Sequence, residues 1–285
     1  MCKFLSGPDY LDAPFVDKVQ EVTASGILMV SAIGNDGPLW GTLNNPADNA
    51  DVIGVGGIDN GGDIAEFSSR GMTTHELPVG TGRVKPDIMA YAKDVHGSKI
   101  QFAGARAGLG PGRATVVLRP GGCRTLSGTS VASPVVAGCV ALLASTVPAA
   151  TRWTTLNPAS MKQALIEGAD RLPNLNIMEQ GNGRINLAKA EAVLADYTPR
   201  ASLSPTTLDF TDCPYMWPYC RQPVYAFGLP LAFNATVLNG MGATGRFLGE
   251  PEFQPGDEGG RQLLVSFTKS DVLWPWSGFL GVYIE

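Results

Sequence analysis

Apolar and polar positions over the first two hundred residues form blocks that predict the helices and strands of an α/β sheet. Residues 12–24 carry apolar side chains at helical spacing, and Gly26 ends the predicted helix. Residues 27–32 and 52–58 are continuous apolar runs, which favour strands of a buried parallel sheet. Glycine-rich loops follow both strands. This order predicts a doubly wound α/β sheet with its site at the carboxyl ends of the strands.

Further helices follow, and then the pattern changes. The predicted helices cover residues 131–146, 158–168 and 186–196, and Asn157 is expected to cap the second of them before Pro158. From residue 197 onward, short alternating runs of β-branched and aromatic residues lie between prolines, which predicts β structure. We therefore predict two units, an α/β domain over residues 1–196 and a β-rich domain over residues 197–285. The second unit ends without a capping turn and is expected to be incomplete.

One segment, residues 98–122, does not fit this pattern. It contains four basic and no acidic residues among clusters of glycine and proline. One interpretation is a basic binding loop, and the other is an exposed insertion or translated intron sequence. The second interpretation is favoured, because no hydrophobic period anchors the segment to its neighbours.

Composition excludes several classes of function. With 44% hydrophobic and 16% charged residues, the chain has enough apolar material for a packed core. The formal net charge of −5 argues against nucleic acid as a partner, since binding phosphates needs a basic face. Because no run of about 18 apolar residues is present, no membrane span is predicted. No residue cluster indicates a metal site.

Two features favour the secretory pathway. Cys213 and Cys220, in CPYMWPYC, are close enough in sequence to form a disulfide across a small loop, and Asn234 opens an N-glycosylation sequon.

Cys139 lies on an apolar helical face and is expected to be a buried free thiol. The first residues lack the apolar segment of a signal peptide. An odd number of cysteines also leaves one without a partner in this chain.

The stretch GTSVASPVVAG, residues 128–138, presents a serine as a nucleophile would be presented. We expect the helix to begin near Val131, so that Ser130 lies where unpaired N–H groups and the helix dipole stabilise negative charge. Gly128 permits a sharp turn, and Pro134 then falls in the first turn, where a missing N–H costs little. The alternative is a serine that caps an ordinary core helix.

Asn35, in SAIGNDG at the end of a predicted strand, is the candidate partner of this serine. An oxyanion hole needs two donors, and the Asn35 side chain with the Ser130 backbone N–H would supply them. The alternative is a turn asparagine that tolerates a positive φ beside Gly34 and Gly37.

Together these motifs resemble the subtilisin-like serine proteases. GTSVASP and SAIGNDG match the serine and oxyanion signatures of that family, and FSSRG, VKPDI, NPAS and GNGRIN occur in the family's order up to about residue 196. The likeness is strongest to a subtilisin/kexin-type branch of the early secretory pathway, where it covers nearly the whole chain. Residues 98–122 are the main departure. Ala92, where the family usually has glycine, is a lesser one.

The resemblance implies a serine endopeptidase that acts on protein or peptide substrates and uses no cofactor. It implies Ser130 as the nucleophile and Asn35 in the oxyanion hole, and it places Ser6 and Gly7 along the substrate channel. It further implies precursor substrates, secretory or membrane-tethered, in the Golgi or endoplasmic reticulum lumen.

The family's aspartate and histidine motifs are missing from this sequence. Its two histidines, His75 and His96, are expected to be exposed loop residues and not the catalytic base. The likeness begins within the family domain, so Met1 is not expected to be the natural start, and the chain alone is expected to be inactive. The alternative is a non-catalytic relative that binds partners through the retained cleft. A structural module that binds through the aromatic residues near the two cysteines is less favoured.

Overall fold

The computed structural model describes residues 13–73, 83–102, 118–207 and 231–285. The elements of the first unit are α1 (Ala13–Ala24), β1 (Val30–Ala32), β2 (Ile53–Ile58), β3 (Gly71–Met72), β4 (Val84–Lys85), β5 (Ile88–Tyr91), β6 (Val95–Phe102), β7 (Leu118–Leu126), α2 (Thr129–Thr146), α3 (Arg152–Thr155), α4 (Pro158–Glu167), α5 (Ile177–Gln180) and α6 (Leu187–Ala195). The second unit contains β8 (Ala201–Ser204), β9 (Leu231–Asn239), a short 3-10 helix (Gly260–Gln262), β10 (Val265–Lys269) and β11 (Trp276–Ile284).

A parallel sheet with the strand order β1-β2-β5 forms the centre of the first unit. The continuous apolar run predicted over residues 52–58 is strand β2, and all six of its residues are buried. Strand β1 is shorter than predicted and begins at Val30. Because the strands are parallel, their carboxyl ends meet at one edge of the sheet. Asn35 follows β1 there, and the Gly128 N–H donates to the carbonyl of Ala92, 2.8 Å away, just beyond β5.

Helix α2 packs against this sheet and shares a hydrophobic core with α4 and α6. The core combines strand, helix and connecting residues, among them Val55, Ile88, Val136, Leu143, Met161 and Leu194. With a mean hydropathy of 1.6, α2 is the one helix in the described parts of the chain that is long and apolar enough to cross a membrane. A core helix that packs on a sheet can be equally long and apolar, because burial in a protein interior also selects apolar side chains.

Helix α2 begins two residues earlier than the sequence pattern predicted. Its first residue is Thr129, so Pro134 lies inside the helix and not in the first turn. Proline has no N–H, and the carbonyl of Ser130 therefore lacks its usual partner four residues later. The prediction that Pro134 removes only an unused donor was wrong, because it depended on a helix start at Val131.

A buried charge cluster joins α4 to the sheet. The carboxylate of Asp87 accepts from Lys85 Nζ at 2.7 Å and lies 2.8 Å from Lys162 Nζ. All three side chains are at most 5% exposed. Both ammonium groups also donate to the carbonyl of Val52, and Asp87 accepts from the Gly54 N–H at 2.7 Å. One anion and several carbonyls therefore hold two cations away from water.

The cluster is expected to make stability depend on pH above neutrality. Burial lowers the pKa of Lys85 from 10.5 to about 7, although Asp87 opposes this shift. Between these two values the unfolded chain binds the proton more tightly than the folded chain, so stability rises with pH. From pH 7 to pH 9, urea unfolding should show a gain of about 1–3 kcal/mol from this lysine.

The variant Lys85→Met should lose this pH-dependent gain, while the exposed control Lys18→Met should keep it. Parallel pH profiles for the wild type and Lys85→Met would refute the assignment.

The second unit is an antiparallel sheet of order β10-β11-β9-β8, which agrees with the prediction of a β-rich domain. It is tied to the first unit by side-chain hydrogen bonds. Gln163 of α4 donates to the carbonyl of Leu238 at 3.1 Å and accepts from the Tyr197 hydroxyl. Trp276 Nε1 donates to the carbonyl of Thr23 at 2.7 Å. These hydrogen bonds fix the position of this sheet against helices α1 and α4.

The sequon residue Asn234 lies within β9 of this sheet. It stands opposite Gly281 of β11, and its side chain is half-buried. Thr236, which completes the sequon, is 7% exposed. Glycosylation of Asn234 stays a prediction, and this position offers a glycosylating enzyme little access in the folded chain.

The two ends of the unusual segment, residues 98–122, form a β-ribbon. Strands β6 and β7 pair antiparallel from Val95 opposite Leu126 to Phe102 opposite Leu118, with one irregularity between Ser98 and Lys99. The expectation that nothing anchors this segment was therefore wrong at both of its ends. Hydrogen bonds between β6 and β7 anchor both ends of the segment. This pairing cannot be recognised from the hydrophobic pattern of either strand alone. Residues 103–117 lie outside the described parts.

Candidate functional site

Asn35 is held in a fixed orientation by the residue that precedes Ser130. Its Oδ1 accepts from the backbone N–H of Thr129 at 2.8 Å and from the Thr129 hydroxyl at 3.0 Å. Thr129 is fully buried, and its hydroxyl also contacts the carbonyl of Gly34 at 3.0 Å. Because Oδ1 is occupied by these donors, the amide Nδ2 faces the opposite way. It makes no hydrogen bond within the described residues.

Ser130 occupies the first turn of α2, directly beside this amide. Gly128 precedes it at φ 147°, a conformation that favours glycine. A Cβ at Gly128 would lie 3.1 Å from Ser130 Oγ and 3.6 Å from Asn35 Nδ2. The hydroxyl and the amide donor thus border the same small space. The Ser130 N–H belongs to the first helical turn and has no intrahelical acceptor.

The loop that carries Asn35 is fixed by several bonds that the sequence pattern did not predict. Gly34 has φ 121°, and its carbonyl accepts from the backbone N–H of Ser69 at 3.1 Å. Ser69 Oγ in turn accepts from the Asp36 N–H at 3.1 Å. Asn44 Nδ2 donates to the Asp36 carboxylate at 3.1 Å. These contacts bracket Asn35 on both sides and leave its amide exposed.

No base for Ser130 is found in the described parts of the chain. Ser130 Oγ makes no hydrogen bond with any residue described there. His96, the one histidine whose position is described, is exposed as predicted, but it lies on strand β6 opposite Thr125 and not in a loop, because β6 pairs with a distant strand. His75, Ser6 and Gly7 lie outside the described residues, so their predicted roles stay predictions.

The structure describes two of the five cysteines. Cys139 is buried in α2 and free, as predicted, and burial raises the pKa of its thiol. Cys123 is free and exposed on β7. Cys213 and Cys220 lie outside the described residues, and their disulfide stays a prediction.

Sequence reasoning missed Thr129 as a functional residue. It appears in the motif GTS only as the letter before the serine. A buried threonine at the first position of a helix, 94 residues from Asn35, gives no local signal of this contact. The backbone N–H of Thr129, which can only donate, selects the orientation of the amide, and the hydroxyl supports it.

Two protein-family profiles match this chain, and together they span most of it. The profile of the subtilase family matches residues 4–184. The profile described as MBTPS1, third Ig-like domain, matches residues 204–285.

Individual relatives agree with these profiles. Subtilisin-like protease SBT6.1 of Arabidopsis thaliana is 56% identical over 281 residues, which cover 99% of this chain and 25% of that protein. The membrane-bound transcription factor site-1 protease of Homo sapiens is 56% identical over 282 residues, with the same coverage. Serine protease AprX of Bacillus subtilis is 30% identical over 188 residues, 61% of this chain and 37% of that protein. The chain thus spans a quarter of the length of the first two relatives.

Proposed function

Because the chain belongs to the subtilase family, we propose that it carries the nucleophile and the oxyanion hole of a serine endopeptidase site. Ser130 is the nucleophile, and the Asn35 amide and the Ser130 N–H are the two oxyanion donors. The observation that carries this proposal is the pair of hydrogen bonds from Thr129 to Asn35 Oδ1, which leaves Nδ2 free to donate beside Ser130. The Asn35 amide and Ser130 Oγ both lie within 4 Å of the place where a Cβ of Gly128 would stand.

The reaction proposed for these groups is acyl transfer. Ser130 Oγ attacks the carbonyl carbon of the scissile bond, and a base accepts the hydroxyl proton. The carbonyl oxygen gains negative charge, which the two donors stabilise because they are positioned before the reaction. The tetrahedral adduct then expels the amine, which takes up the proton, and water hydrolyses the acyl-enzyme. In the family a histidine held by an aspartate provides the base, and neither motif is matched in this sequence.

The proposed substrates are proteins or peptides of the secretory pathway, including membrane-tethered precursors, in the Golgi or endoplasmic reticulum lumen. Sequence identity of 56% to the membrane-bound transcription factor site-1 protease supports this assignment. The resemblance to that branch of the family further implies a cleavage site of the type Arg-x-hydrophobic-x. Within the proposal, Ser6 and Gly7 line the substrate channel. The proposal also includes a disulfide between Cys213 and Cys220 and a glycan on Asn234. The boundary between the two domains is placed between residues 196 and 197.

A fluorophosphonate probe tests the nucleophile directly. The full chain is incubated with the probe at pH 8.5 with added imidazole, which acts as an external base, and the adduct is followed by intact-mass spectrometry. Ser130 Oγ should displace fluoride and gain one phosphonyl group. Ser130→Ala should abolish the adduct. The control Ser145→Ala, an exposed serine near the end of the same helix, should react like the wild type.

A second candidate function is peptide binding without catalysis. The absence of a base for Ser130 among the described residues favours it. The two candidates differ in the same experiment, combined with fluorescence anisotropy of a labelled peptide. Peptide binding without any adduct at Ser130, even with imidazole, would refute the nucleophile and leave a binding module.

A further inference from the structure

The β-ribbon of β6 and β7 has its base beside the candidate site. Two hydrogen bonds continue the strand pairing from this base to the residues before Ser130: the Asp94 N–H donates to Ser127 Oγ at 3.0 Å, and the Gly128 N–H donates to the carbonyl of Ala92. Strand β7 ends at Leu126, only four residues before Ser130. The base of this ribbon is therefore close to Ser130 in the chain.

The ribbon and its base carry cations that form no ion pair with the part of the chain that the structure describes. Between residues 93 and 126 the sequence contains six lysine or arginine residues and one acidic residue, although the chain as a whole has a net charge of −5. Lys93, Lys99 and Arg124 are exposed and form no ion pair with the residues that the structure describes. Every other described lysine is paired with a carboxylate; these are Lys18, Lys85, Lys162, Lys189 and Lys269.

The ribbon also offers unpaired backbone groups. Within the described residues, β6 and β7 pair only with each other and form a two-stranded sheet. Each strand therefore has one open edge, and an extended peptide can add to such an edge through main-chain hydrogen bonds. Cations beside an open edge favour a peptide whose side chains are acidic.

We propose that this ribbon binds an extended acidic segment of the polypeptide substrate and so guides it to Ser130; the inference rests on the proposed function. Arg124 lies four residues before Gly128, and Lys99 pairs with Gly121, seven residues before it. At about 3.3 Å per residue these positions lie roughly 13 and 23 Å along the ribbon from Gly128. A substrate in extended conformation covers these distances with about four to seven residues, which sets where its acidic residues should lie relative to the scissile bond.

Peptide binding to the full chain tests this proposal, measured by fluorescence anisotropy in a Ser130→Ala background. The probe is a labelled peptide with four consecutive glutamates, compared with the same peptide carrying glutamines. The triple variant Lys93→Gln, Lys99→Gln and Arg124→Gln should weaken binding of the glutamate peptide by about 3- to 100-fold, and added salt should weaken binding to the wild type.

Two matched variants separate a specific site from net charge. The triple variant Lys18→Gln, Arg246→Gln and Arg261→Gln removes the same charge from exposed positions elsewhere and should bind like the wild type. Exchanging lysine and arginine at the three ribbon positions keeps the charge and should keep the affinity.

Equal affinity for the glutamine peptide, or equal weakening in both triple variants, would overturn the proposal. Binding of phosphatidylserine vesicles through the ribbon cations, without binding of the glutamate peptide, would overturn it in favour of a membrane surface. Because the readout does not need the nucleophile, loss of the phosphonyl adduct with intact peptide binding would refute the proposed function alone. An adduct at Ser130 without peptide binding would refute only the ribbon.

Discussion

Replacing Asp87 by asparagine is expected to lower the free energy of unfolding by about 3–5 kcal/mol. The variant keeps the size of the side chain but removes the one anion that faces both Lys85 and Lys162. The ammonium group of Lys162 would then remain in the interior with only backbone carbonyls around it, and removal of one partner from a buried pair leaves an uncompensated charge. Lys85, whose pKa is about 7 with Asp87 present, would lose the partner that opposes the effect of burial and would release its proton. Urea unfolding at pH 7 measures the loss.

The control for this variant is Asp63→Asn, because Asp63 is exposed. Its change should stay within about 0.5 kcal/mol. The double variant Asp87→Asn with Lys162→Met should lose less stability than Asp87→Asn alone, since one buried cation is removed with the anion. A loss below about 1 kcal/mol for Asp87→Asn would show that the carbonyls alone hold both lysines.

The same cluster sets a lower pH limit on stability. The two lysines lower the pKa of Asp87 below its ordinary value of 3.8, against the opposing effect of burial. A carboxylate with a lowered pKa contributes stability that is fully present above its unfolded pKa and is lost as the pH falls through the folded value.

Replacing Asn35 by alanine is expected to slow formation of the phosphonyl adduct at Ser130 by about 10²–10³-fold, a magnitude measured for the oxyanion-hole asparagine of subtilisin. The developing charge would lose the donor that Thr129 holds in place, while the hydroxyl of Ser130 would remain. The time course of the adduct by intact-mass spectrometry, with imidazole present, gives the ratio of rates.

The control is Gln20→Ala, which removes an exposed side-chain amide from helix α1. It should react within a few-fold of the wild type. Equal rates for Asn35→Ala and the wild type would remove Asn35 from the oxyanion hole. A melting temperature close to that of the wild type would confirm that a slower reaction is not caused by unfolding.

Thr129 adds a further comparison to this test. Thr129→Val keeps the shape of the side chain but removes the hydroxyl that contacts both the Asn35 side chain and the Gly34 carbonyl. The backbone N–H of Thr129 still holds Asn35 Oδ1 at 2.8 Å. An effect smaller than that of Asn35→Ala is therefore expected.

The sequence by itself determined the features that depend on neighbouring residues. The buried strand β2, the helices α1, α4 and α6 and the β-rich character of the second unit follow from hydrophobic period and caps. Asn157 caps α4 through Ser160, as its place before proline predicted. Ser130 and Asn35 were also identified from short motifs, because glycine turns and helix starts are local signals.

The tertiary structure alone decided which distant groups meet. The orientation of the Asn35 amide depends on Thr129, and the charge of Asp87, beside strand β5, is balanced by Lys162 of helix α4. The ribbon forms because β6 pairs with β7, which lies well beyond it in the sequence. Sequence periodicity reports how each segment divides its apolar and polar faces, but not which face of another segment it will contact. Those pairings are fixed by packing, which brings a buried donor to an acceptor tens of residues away because neither can remain unpaired in the interior.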